Sequence, residues 1–148
     1  MTSGSRDVVI IGGGIIGCLS AYLMSRQGYK VTILETDSLG SHASGFAFGG
    51  LDPLTGVGLP EPLLEFSLWC YGRHRSLARE LHDQAGIDIG FELRDRLHLA
   101  FDDEEARSAK KDVEWMQSVG GFNVEWVDNA QARELEPQVS PECLGALF

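Results

Sequence analysis

Residues 8–35 read VVIIGGGIIGCLSAYLMSRQGYKVTILE, and this stretch decides the fold. Its first four residues, Val8–Ile11, are all β-branched and predict a strand that is buried on both faces, as in a parallel sheet. Three glycines then turn the chain, residues 15–27 predict a helix, and Lys30–Leu34 predict a second strand. The order strand, glycine turn, helix, strand predicts a βαβ unit and therefore an α/β fold.

The spacing of the glycines predicts a dinucleotide site of the Rossmann type. Gly12, Gly14 and Gly17 match G-x-G-x-x-G between a predicted strand and a predicted helix. They permit, in that order, a tight turn, close approach of a pyrophosphate, and close packing of the helix on the sheet. Glu35 ends the second strand, where a carboxylate accepts hydrogen bonds from a ribose and repels a 2′-phosphate. The pattern therefore indicates FAD or NAD rather than NADP.

Length and composition limit the classes of partner. The chain has 148 residues, of which 43% are apolar, so we expect one domain with a substantial core. Its net charge of −10 disfavours nucleic acid and anionic membranes as partners. The apolar stretches are too short to span a bilayer. Three scattered cysteines form neither a metal-binding pattern nor a disulfide framework, so we expect no metal and a cytoplasmic location.

The segment after Glu35 favours FAD over NAD. Residues 36–60 are rich in glycine and follow neither a helical nor a strand period, and residues 61–85 then predict a long helix. An NAD-binding domain would usually return to short alternating strands and helices. Further on, the patterns predict a hairpin at residues 91–101, a helix from Asp102 or Asp103 to Val119, and strands at 124–127 and 144–148.

The stretch GSHASGFAFGGL, which follows the glycine pattern and Glu35, resembles the second FAD-contacting segment of the D-amino-acid oxidase family. That family includes glycine oxidase, sarcosine oxidase and D-amino-acid dehydrogenase. The resemblance continues through RDRLHLAF and RELEPQVSPECLGAL. It implies a Rossmann-type FAD-binding βαβ unit followed by the beginning of an α+β substrate domain, truncated. The expected domains are an FAD-binding part (1–60), a long helix that caps the FAD domain (61–90) and an incomplete substrate domain (91–148).

The resemblance also implies which residues contact FAD. The pyrophosphate, the adenosine ribose, the ribityl chain and the flavin ring would be contacted in turn along the chain. These residues are Gly12, Gly14, Ile15, Ile16, Gly17, Glu35, Thr36, Ser41, His42, Ala43, Ser44, Gly49, Gly50 and Leu51. Some members of the wider family attach flavin covalently through a histidine or a cysteine. The spacing here shows no such bond, and a His42 that only hydrogen-bonds is favoured.

The function that the resemblance implies is that of an FAD-dependent oxidoreductase. It would oxidise the C–N bond of a D-amino acid, glycine or sarcosine by hydride transfer to flavin. The chain would be the N-terminal part of that enzyme and inactive alone, and no catalytic residue is assigned within it. Expected partners are a small amine or amino-acid substrate, and either a homo-oligomer or a complementary chain. Alternatives are a hydroxy-acid enzyme, an NAD-linked dehydrogenase, or a non-catalytic nucleotide-binding subunit that needs a partner.

Overall fold

The computed structural model describes residues 7–148, and these form two compact units. The first unit extends to Gly50, and the second runs from Leu51 to Phe148. The expected functional division of the chain near residues 60 and 90 stays a prediction.

The first unit is the predicted βαβ unit. Strand β1 (Asp7–Ile11), helix α1 (Ile15–Arg26) and strand β2 (Lys30–Leu34) follow one another, and the two strands pair in parallel along their whole length. Because parallel strands end at the same edge of a sheet, the glycine turn after β1 and Glu35 after β2 lie side by side. This edge is where the functional site is built.

The prediction that β1 is buried on both faces is wrong for this unit. Val8 and Ile10 are half-buried, whereas Val9 and Ile11 are 61% and 87% exposed. The cause is that α1 packs against one face of a two-stranded sheet. Among the described residues of this unit, no second helix covers the other face. Parallel sheets are normally covered on both faces, so this apolar face is a surface against which further structure can pack.

The second unit combines three helices with a small antiparallel sheet. The elements in chain order are α2 (Leu64–Ala85), β3 (His98–Ala100), α3 (Asp103–Val119), β4 (Trp126–Asp128), α4 (Asn129–Leu135) and β5 (Gly145–Leu147). Strand β5 lies between the other two strands, in the order β3-β5-β4. The expected α/β unit followed by an α+β segment is confirmed.

The core of the second unit lies on both sides of this sheet. Helix α3 buries Val113 and Met116 with Leu54 and Val124, while Ala132 and Ala146 pack in a second cluster. Local signals set the helix ends. The Asp102 carboxylate accepts from the amides of Glu104 and Glu105, as an N-cap should, and Asp128 forms a capping box at α4.

One prediction of secondary structure in this unit is wrong, and one confirmed helix begins three residues later than predicted. The predicted hairpin at 91–101 is reduced to strand β3, which pairs with β5 far along the chain. Alternation of apolar residues indicates a strand but does not identify its partner. Helix α2 begins at Leu64 rather than near Glu61. Residues that precede a proline are disfavoured in helical conformation, and Glu61 precedes Pro62.

None of the helices within residues 7–148 is both long enough and apolar enough to cross a membrane.

Candidate functional site

The glycine turn requires glycine at two of its positions for different reasons. Gly12 has a φ of +103°, a conformation that residues with a side chain rarely adopt, and its amide donates to the Leu34 carbonyl at 2.8 Å. At Gly17 the backbone is helical, but an added Cβ would overlap the carbonyl oxygen of Gly12. Gly17 therefore lets the first turn of α1 pack against the end of β1.

Glu35 closes the turn from the end of β2. Its Oε2 atom accepts a hydrogen bond from the Gly13 amide at 2.6 Å, which joins residues 22 positions apart. Its Oε1 atom accepts from the amides of Thr36 at 2.7 Å and Asp37 at 3.1 Å, and from the Thr36 hydroxyl at 3.0 Å. A carboxylate offers about four acceptor sites. Oε1 is therefore saturated, and Oε2 keeps capacity for a hydroxyl donor.

These hydrogen bonds hold Glu35 in its charged form. The backbone amide of Gly13, then that of Asp37, then the hydroxyl and amide of Thr36 lower the pKa of the Glu35 carboxyl to about 2. Donors that bond to the charged form favour it over the neutral form. The site thus presents a negative charge at neutral pH, which attracts hydroxyl donors and repels phosphate groups.

The N-terminus of α1 offers amide donors beside that carboxylate. Gly14 is the N-cap and supplies no side chain, and the Ser44 hydroxyl accepts from the Ile15 amide at 2.9 Å. Within the described part of the chain, no group accepts from the amides of Ile16 or Gly17. No acidic residue lies in the first turn of α1. These free amides and the helix dipole together attract an anion.

The predicted site residues divide between two adjoining depressions. We call the first one the turn cleft, and it is lined by Gly14, Glu35, Ser38, Gly40, Ser41, His42, Ala43 and Ser44. The second is an apolar groove that contains the other predicted residues of the turn and helix. The groove is lined by Val8, Ile10, Ile11, Gly12, Gly14, Ile15, Ile16, Gly17, Ser20, Met24 and Ser44.

Four predicted residues lie outside both depressions. Thr36 donates hydrogen bonds from its amide and its hydroxyl to Oε1 of Glu35, and so helps to hold the carboxylate in place. Gly49 and Gly50 are exposed at the end of the first unit, and Leu51 belongs to the second unit. Their expected contact with the flavin ring stays a prediction.

Gly13, the residue on which the turn depends, was not among the predicted site residues. Its amide donates to Glu35, its carbonyl oxygen accepts from the Gly40 amide at 2.9 Å, and an added Cβ would meet Leu39 and Glu35. The run of three consecutive glycines, of which Gly13 is the middle one, was the available signal. Ser38 and Gly40 of the turn cleft were also missed, because loop packing leaves no periodic pattern.

The described residues contain no cluster of three or more histidine, cysteine or acidic side chains that could hold a metal ion. The polar groups present are instead of the kind that the ADP portion of a dinucleotide requires. Free amides at a helix N-terminus serve a pyrophosphate, and an ionised carboxylate at the end of the next strand serves a ribose.

Comparison with known proteins decides the family. The family model described as DAO, FAD dependent oxidoreductase, matches residues 7–148. The chain belongs to this family. The resemblance found in its loop is thereby confirmed, and FAD is the cofactor of the family.

Relatives within the family cover nearly all of this chain. A glycine oxidase of Geobacillus kaustophilus is 32% identical over 143 residues, which are 96% of this chain and 38% of that protein. A solved glycine oxidase structure from Bacillus cereus is 33% identical, with a TM-score of 0.84 over 97% of this chain and 38% of the other. An opine oxidase subunit of Rhizobium meliloti is 28% identical over 96% of this chain and 39% of its own length. The chain spans about two fifths of the relatives it matches.

Gly17→Ala should unfold or distort the glycine turn. The added methyl group meets the Gly12 backbone, which no side-chain movement relieves, so we expect a loss of about 1–3 kcal/mol in the free energy of unfolding. Urea unfolding followed by the amide NMR signals of α1 and β2 measures it. Gly72→Ala is the matched control, because Gly72 lies in the middle of α2 and an added Cβ there would meet no other atom. This change should leave the free energy of unfolding unchanged or raise it by up to about 1 kcal/mol. Equal effects of the two changes would contradict this account.

Glu35→Gln should change how stability depends on pH. A carboxyl whose pKa is lowered by folding stabilises the native state above its ordinary value of 4.5, and this contribution is lost as pH falls to about 2. The stability difference between wild type and Glu35→Gln should therefore be constant above pH 4.5 and shrink below it. Urea unfolding at a series of pH values measures the difference. A difference that stays constant down to pH 2 would show that the Gly13 hydrogen bond does not hold the charge.

Proposed function

We propose that the first unit holds the ADP portion of FAD in an enzyme that oxidises the C–N bond of an amino acid or a secondary amine. One observation carries the proposal: an ionised Glu35 lines the turn cleft, and the open amides of Ile16 and Gly17 lie in the adjoining groove, which shares Gly14 and Ser44 with that cleft. In Rossmann-type sites the pyrophosphate lies at the start of the first helix, and the ribose hydroxyls contact the acidic residue that follows the second strand.

Each group of the turn would have a separate task. The amides of Ile16 and Gly17 would donate to the pyrophosphate, and Gly12 and Gly14 would let it approach the backbone. Oε2 of Glu35 would accept from a ribose hydroxyl, since that oxygen has accepted only the Gly13 bond. Ile15 would support the pyrophosphate indirectly, because its amide is already bonded to Ser44.

The loop after Glu35 would cover the cofactor. Residues 41–44 line the turn cleft and would run beside the phosphates and the ribityl chain. Ser44 would fix the loop to the start of α1, since its hydroxyl accepts from the Ile15 amide. Gly49, Gly50 and Leu51 would reach the flavin ring in the complete enzyme.

Bound FAD supplies two-electron redox chemistry, and the residues of this chain bind and orient it. An amine or amino-acid substrate is supported by the relatives, three of which bear the name glycine oxidase. No residue of this chain is proposed as a catalytic acid or base. A hydroxy acid is the alternative substrate class. Experiment must distinguish it from an amine or amino acid, because FAD can accept electrons from both classes of substrate.

The function as a whole would require polypeptide beyond this chain. The chain spans about two fifths of its relatives, and the uncovered face of β1 and β2 offers a place where further structure can pack. A second candidate role is that of a subunit that works with a partner chain. It is supported by the opine oxidase relative, whose name marks it as one part of an assembly. The expected homo-oligomer and the cytoplasmic location stay predictions.

The proposed cofactor and substrate class are tested by the visible absorption spectrum of the purified protein of which this chain forms part. We expect a visible flavin spectrum, and rapid anaerobic bleaching of it by glycine, sarcosine or a D-amino acid, with glycolate leaving it unchanged. Bleaching is expected for an amine because oxidation of its C–N bond to an imine releases two electrons, which bound FAD would accept. Bleaching by glycolate alone would replace the amine substrate with a hydroxy acid. Absence of flavin from a protein supplied with FAD would overturn the proposed cofactor site.

A further inference from the structure

The second unit begins with a short segment, residues 52–55, that is held in place from several sides. Residues 45–52 are all exposed, and Pro53 and Leu54 are the first buried residues that follow them. Leu54 is only 5% exposed and packs in the core beside helix α3. The Ser67 hydroxyl donates to the Pro53 carbonyl at 2.9 Å. The segment is therefore the point at which the preceding exposed stretch of chain becomes fixed.

Asp52 and Arg96 close this segment into a turn. Oδ1 of Asp52 accepts from the amides of Leu54 at 3.0 Å and Thr55 at 3.2 Å, as an aspartate that begins a turn commonly does. Its other oxygen, Oδ2, accepts from Nη1 of Arg96, which lies 44 positions along the chain. The same nitrogen donates to the Thr55 hydroxyl at 3.4 Å. Arg96 thus bonds to both ends of the turn.

Neighbouring core residues place both partners of this ion pair. Asp52 is two residues from the buried Leu54, and Arg96 directly precedes Leu97, which packs against the second core cluster at the start of β3. An exposed ion pair contributes little when two flexible side chains must be ordered to form it. Here the backbone on each side is already held. The side chains of Arg96 and Asp52 are still 55% and 32% exposed, so the expected effect is modest.

We propose that Arg96 is a positioning residue for the flavin: through Asp52 it fixes the end of the loop whose residues 49–51 would reach the flavin ring. The inference rests on the proposed function, and neither Arg96 nor Asp52 itself contacts the cofactor. A loop that contains Gly49 and Gly50 loses much conformational freedom when it is ordered. Fixing its end before FAD binds reduces that loss and so strengthens binding of the flavin portion. The ADP portion, which the glycine turn would hold, gains nothing from it.

The test compares binding of FAD with binding of ADP-ribose, which has the ADP portion but no flavin, by calorimetry on the FAD-free purified protein of which this chain forms part. Asp52→Asn keeps an oxygen that accepts from the amides of the turn but loses the negative charge that pairs with Arg96. In Asp52→Asn and in Arg96→Gln we expect the dissociation constant of FAD to rise about threefold. That of ADP-ribose should stay unchanged. The double variant should lose no more than either single variant, because both changes remove the same ion pair.

Arg94→Gln is the matched control. Arg94 lies two residues before Arg96 and pairs with Glu92, a residue of its own stretch of chain. Its loss removes the same charge from the same segment but leaves the turn at residues 52–55 closed. This variant should keep the wild-type dissociation constants for both ligands.

The outcomes separate the inference from the proposed function. If the wild type fails to bind FAD or ADP-ribose, the proposed site for the ADP portion fails, and the inference fails with it. If both ligands bind but Asp52→Asn and Arg96→Gln leave the affinity for FAD unchanged, the inference alone is overturned. It is also overturned if these variants weaken both ligands equally, or if Arg94→Gln weakens FAD as much as Arg96→Gln does.

Discussion

The hydrogen bond from the Gly13 amide to Glu35 is the interaction on which the site depends. It links the turn after β1 to the end of β2, and it gives Glu35 a donor that favours the charged carboxylate. The same glycine accepts from the Gly40 amide, so the loop that follows is attached at the same point. One backbone position therefore joins the strand ends, the helix start and the covering loop.

The two adjoining depressions that result differ in their electrostatic character. Backbone amides at the start of α1 present partial positive charge, while Glu35 presents a full negative charge. A dinucleotide has the complementary order, with phosphates that accept and a ribose that donates. Because the chain belongs to an FAD-dependent family, this polarity matches the cofactor that the family uses.

Local signals made much of this architecture predictable. The turn after β1, strand β2 and helix α3 were confirmed because each depends on residues close together in sequence. The hairpin at 91–101 was wrong because β3 pairs with β5, which lies at the far end of the chain. Gly13 was missed for a related reason: its role comes from Glu35 and Gly40, which only folding brings near.

The most direct test of the central claim is to record amide NMR shifts of the chain while FAD is added. The account predicts that the largest changes fall on residues 13–17, Glu35 and residues 41–44, where the turn cleft and the helix start meet. Shift changes confined to residues 51–148, or no shift change at the highest FAD concentration, would contradict the account.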